Sequence, residues 1–163
     1  MKEINLFTLI SRGDNKEFYS LYQIKDEFLE NEDNQTLLQY SYSCNRIEIA
    51  KFLIEKNFAF NSQDNKGYTI LHYLFNSMTY KWIELIELIL NKKPDINLVD
   101  NNGNTLIFDA VKNRRIPLSF IEKLLIMGSD CQIQNNNRVS ALDLVKKLDN
   151  QKLLKLCQFK EFN

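Results

Sequence analysis

The chain has 163 residues, 44% hydrophobic and 26% charged, a composition that fits one ordinary soluble domain with a packed core. Its 21 basic and 21 acidic side chains cancel, so no global field draws it to nucleic acid or to an anionic membrane. No N-terminal charged-plus-apolar signal is present, and no apolar run approaches the ~18 residues of a membrane span, so a cytoplasmic protein is expected.

Charge is nonetheless placed unevenly. Residues 1–80 hold 8 basic and 11 acidic side chains, and residues 81–163 hold 13 and 10. In chain order, Ile4, Phe7, Leu9 and Ile10 predict a short helix that stops at Arg12-Gly13. Asp14 with Glu17 three residues on predicts a capping box at the next helix, in which Phe18, Leu21, Tyr22 and Phe28 continue at helical spacing. Asp26, Glu27, Glu30, Glu32 and Asp33 then form an acidic cluster, either a solvated face or a rim for a basic partner. Helices are predicted over Thr36–Cys44, Ile47–Lys56, Thr69–Ser77, Trp82–Asn91, Thr105–Asn113, Pro117–Met127, Ser140–Leu148 and Asn150–Gln158.

These helices recur in register. Thr36, Thr69, Thr105 and Ser140 are 33, 36 and 35 residues apart. Asn61, Asn97 and Gln132 keep the last two spacings, as do Asp64, Asp100 and Asn135. A period near 33 residues held at three marks is a structural repeat. The clearest unit opens at Asp64-Asn65-Lys66-Gly67, runs through Thr69-Ile70-Leu71-His72 and closes at Asp95-Ile96-Asn97.

That unit resembles the ankyrin repeat. The resemblance covers about residues 31–134, with degenerate caps on each side. It implies an all-α solenoid in one domain: a cap repeat at 1–32, repeats at 33–63, 64–99 and 100–134, and a cap repeat at 135–163. Each repeat would be two antiparallel helices joined to the next by a hairpin-like finger, and the inner helices and fingertips would bind a protein. Departures include Leu37, Ile70, Leu106 and Ala141 in place of the proline, and Ser41 and Leu74 in place of small inner-helix residues. Asn45 and Asn113 fall where a glycine between the helices is usual and can take its left-handed backbone.

Little chemistry remains outside this scaffold. His72 is the sole histidine, so no His-based triad or metal cluster can form, and the resemblance makes it structural. Cys44, Cys131 and Cys157 are odd in number and widely spaced, which suits packed, reduced thiols. No phosphate loop or paired-carboxylate setting stands out, so no enzyme, cofactor or metal is expected. All seven tyrosines lie at or before residue 80. Tyr40 and Tyr73 occupy equivalent places and are expected to stack side by side, with Tyr68 on the finger beside them; Tyr80 and Trp82 sit in a short insertion. Exposed tyrosines are good binding anchors, and equally they fill grooves left by missing alanines. Twenty asparagines crowd the turns, as contacts or as turn formers. The candidate partner-binding set is therefore Glu32, Asp33, Tyr40, Asn65, Lys66, Tyr68, Tyr73, Asn101, Asn102 and Asn104. The expected function is protein binding by a chain that is monomeric when free, without nucleic-acid or membrane partners. Two specific versions are an immunity protein that neutralises a toxin and an effector delivered into a host cell.

Overall fold

The hydroxyl residues that mark the period begin the inner helices. In a computed structural model, which describes residues 5–56, 59–77, 79–149 and 151–158 (without the side chains of Glu27 and Tyr80), Thr36, Thr69, Thr105 and Ser140 all have extended backbone. Each side chain accepts the N–H three residues on: Gln39, His72, Phe108 and Asp143. At Thr36, Thr69 and Ser140 that third residue bonds back to the cap N–H, which satisfies a second orphan donor.

Ten α-helices follow among the described residues. The inner ones are α1 (Leu6–Arg12), α3 (Leu37–Ser43), α5 (Ile70–Asn76), α7 (Leu106–Lys112) and α9 (Ala141–Lys147). The outer ones are α2 (Asn15–Leu21), α4 (Ile47–Glu55), α6 (Ile83–Asn91), α8 (Leu118–Ile126) and α10 (Gln151–Gln158). Two 3-10 turns, Ile24–Phe28 and Tyr80–Trp82, precede the first finger and α6. No strands form among the described residues beyond three isolated antiparallel bridges at finger bases, Glu30–Thr36, Val99–Thr105 and Gln134–Ser140. None of these helices is long and apolar enough to cross a membrane.

Packing follows the repeat. Leu38, Leu53, Leu71, Ile89, Ile107, Leu124 and Leu153 are buried between units, as expected of the inter-repeat core. Leu142 is only partly buried, because Ala141 and Val145 take the inward face of α9. Leu74 and Phe75 fill the space where small residues are usual, and Ser41 is buried with its hydroxyl donating to the Leu37 carbonyl. Each inner helix packs on the next along the whole stack, from α1 on α3 to α7 on α9.

Several expectations change. Asp14 caps α2 by position, but its side chain makes no capping bond. Asn45 does adopt left-handed backbone (φ 60°), whereas Asn113 does not (φ −87°) and instead donates its amide to the Phe75 carbonyl at 2.8 Å. Cys131 and Cys157 are disulfide-bonded, with Cα atoms 5.7 Å apart, and Cys44 is free. Wide sequence spacing is no bar to pairing where α10 packs back against α8. The bonded pair removes the cysteine argument for a reducing compartment. Ile4 and Asn150 lie outside the described residues.

Candidate partner-binding surface

Each finger is built on one short polar side chain. Asn31, Asp64, Asp100 and Asn135 accept, through Oδ1, the backbone N–H groups two and four residues on, at 2.8–3.1 Å. The turn then needs a left-handed residue, supplied by Asn34, Gly67, Gly103 and Arg138. At Gly67 a Cβ would sit 2.7 Å from the Asn101 nitrogen of the next finger, so glycine is required by packing as well as by φ.

The fingers are joined in a ladder. Asn65, Asn101 and Asn136 donate their backbone N–H to the carbonyls of Asp33, Lys66 and Asn102 at 3.0, 3.0 and 2.9 Å. Their side-chain amides reach the carbonyls of Glu32, Asn65 and Asn101. Asn102 and Asn104 donate to Asp100 Oδ2, and Asn104 accepts from the Asn135 amide at 2.8 Å. The finger asparagines are thus held by turn and inter-repeat bonds, while Glu32, Asp33 and Lys66 stand exposed beside them.

The tyrosines are arranged differently from the expected pair. Tyr40 meets Phe7 edge-on at 5.4 Å, while Tyr73 meets Tyr42 at 5.7 Å and Tyr68 at 5.4 Å. Tyr42 intervenes: its ring packs between Tyr73 and buried Trp82, and its hydroxyl donates to the Tyr73 carbonyl and pairs with Ser77. Tyr68 stacks on His72 at 5.8 Å. A continuous row therefore runs from Tyr68 through Tyr73 and Tyr42 to Trp82; the side chain of Tyr80 lies outside the description.

Tyr73 is tied down further. Its hydroxyl donates to Asp64 Oδ2 and accepts from Gln35 Nε2 at 2.8 Å, linking two fingers. Burial and the neighbouring Asp64 carboxylate push its pKa well above the usual phenol value. Tyr68 is raised by burial, with Asp100, Asp109 and Asp64 adding to it. Tyr40 is raised chiefly by its hydrogen bond with Cys44.

His72 is buried, its Nδ1 2.8 Å from the Thr69 hydroxyl. Burial lowers its pKa, with Asp100 and the Asn104 backbone offsetting part of that effect. Its geometry is that of a turn-to-helix tie. Sequence reasoning missed Gln35, Tyr42, Asp64 and Trp82 as organisers of the row. The recurring aspartate at the finger start was the available signal for Asp64; nothing local marks Gln35.

Residues 6–79 match a family model described as ankyrin repeats (3 copies). An ankyrin repeat protein of Acanthamoeba polyphaga mimivirus is 32% identical over 78 residues, which cover 48% of this chain and 10% of that protein. Another, from Rickettsia bellii, is 32% identical over 90 residues, covering 55% of this chain and 49% of its own length. The chain therefore spans about half the length of one curated relative and about a tenth of the other. Ankyrin repeats are generally protein–protein interaction modules. Hydroxyl-capped helix pairs stacked at the 33-to-36-residue period and joined finger to finger continue past the matched units, so the chain carries ankyrin repeats over residues 6–79 and keeps their all-α architecture beyond them.

Proposed function

We propose that this chain is a non-enzymatic scaffold that holds one partner protein against the concave side and fingertips of its N-terminal and central units. The finger ladder carries this reading. It fixes the backbone of Glu32, Asp33 and Lys66 and the side chains of Asn65, Asn101, Asn102 and Asn104 in one row, so that the finger backbone has little ordering entropy left to lose on binding. Tyr40, Tyr68 and Tyr73 are half-buried beside that row and offer ring area that is already immobilised. The exposed acids at its N-terminal end suit a basic partner. Within this reading they favour masking of a basic toxin domain by an immunity protein over delivery into a host cell as an effector.

The test is affinity capture from the native cell with the parent chain and with the E32K/D33K double variant. A protein retained by the parent and lost from a variant of unchanged circular dichroism supports the surface. The same proteins captured by both would remove it.

A further inference from the structure

Three ion pairs link neighbouring outer helices from α4 to α10. Lys51 on α4 pairs with Glu84 on α6 at 2.8 Å, Glu87 on α6 with Lys123 on α8, and Glu122 on α8 with Lys152 on α10 at 2.6 Å. The edge where inner helices turn into outer ones is different. Helix α7 ends at Lys112 and is followed by Arg114 and Arg115; α9 ends in Lys146 and Lys147, followed by Leu148. Lys112 and Lys147 each lie seven residues past their cap, Thr105 or Ser140, so the packing of α7 on α9 sets them in register.

All five cations are exposed, and among the described residues no ion pair engages any of them. The nearby carboxylates form no ion pair with these cations and act on them only at longer range, Asp109 on Lys112 and Asp143 on Lys146 and Lys147. Asp143 accepts the Ser140 N–H at 2.9 Å and its hydroxyl at 2.7 Å, and Asp149 accepts the Gln151 amide at 2.8 Å. Asp109 is buried within α7. Cations at a helix C-terminus complement the helix dipole, which accounts locally for Lys112, Lys146 and Lys147. It does not account for Arg114 and Arg115, which lie beyond the helix in the turn. Leu148 lies 42% exposed at the same edge.

We propose that this edge is a second docking surface, for an acidic peptide segment of a protein partner that carries an apolar side chain. Arg114 and Arg115 present planar donor forks suited to carboxylates, the three lysines supply attraction, and Leu148 supplies the apolar contact. The apolar contact is what distinguishes such a segment from a phosphate backbone. The surface is separate from the finger row and does not depend on it.

The experiment measures fluorescence anisotropy of a short labelled Asp/Glu peptide with one central leucine, against the whole chain at low and moderate salt. R114E/R115E and, separately, K146E/K147E should each weaken binding about tenfold at low salt, with E32K/D33K unchanged. L148S should weaken it about threefold, and a leucine-free peptide should lose a similar factor. Thermal melts establish that each variant is folded. The proposal is overturned if both charge reversals bind as the parent does, or if the leucine makes no difference. Tighter binding to duplex DNA or to phosphatidylserine vesicles than to the peptide, at equal salt, would also overturn it.

Discussion

Asp109 stands four residues past its cap threonine, where Tyr40 and Tyr73 stand in earlier units, but it buries a carboxylate instead of a ring. Its Oδ2 has no hydrogen-bond partner, and burial, with Asp100 nearby, raises its pKa from 3.8 to about 6. A raised acid pKa means that the folded chain binds the proton more tightly than the unfolded chain. Stability from this group is therefore full below about pH 4 and falls as pH rises to about 6, by roughly 2–3 kcal/mol. Asp109→Asn should raise the melting temperature at pH 7.5 and change it little at pH 4; parallel curves across that range would refute this. Gly67→Ala should cost about 2 kcal/mol or more in urea titration, since it meets both a positive φ and the next finger's backbone. Arg138→Gly, where no further finger is described above it, should stay within about 1 kcal/mol of the parent. The equivalence of Tyr40 and Tyr73 was legible from spacing, but their ring partners were not. Those depend on Tyr42, whose role is set by rotamer and by the buried Trp82 of the next unit.

At the scale of helices, the eight predicted from Thr36 onward lie within one residue of the observed ones at each end. Threonine and serine caps state where a helix begins in local chemistry alone, which is why these starts could be read. Asp14 failed by the same measure, since its Asp-x-x-Glu pattern is present without the capping bond. The link between Cys131 and Cys157 was not legible, because it depends on α10 packing back against the loop after α8. It closes a loop of 26 residues, and the chain-entropy estimate for that length is about 3 kcal/mol. Mild reduction, or Cys157→Ser, should lower thermal stability accordingly and expose α10 first to hydrogen exchange. An unchanged melt with the thiols shown to be free would remove that contribution. Leu71→Ala, in the central unit, should cost about 2–5 kcal/mol by equilibrium unfolding.

Over the whole molecule, the period fixed the solenoid, while the finger ladder needed three-dimensional contacts. Each rung joins residues about one period apart. The exposed acids at the first finger should act mainly on association rate. Glu32→Lys is expected to slow the binding of a basic partner by a factor that shrinks as salt rises, measurable by stopped flow. A change confined to dissociation would show that Glu32 makes a close contact instead of steering.

The bond between Cys131 and Cys157 also bears on how the chain would respond to being pulled. Tension applied through the two ends passes from Cys157 directly to Cys131, so the segment between them stores slack that cannot be paid out. With the bonded cysteines 26 positions apart, the oxidised chain should extend short of the reduced one by about 80–90 Å of contour in force spectroscopy. The finger rungs, each spanning neighbouring units, would then give way one at a time, starting from the end that has no such lock.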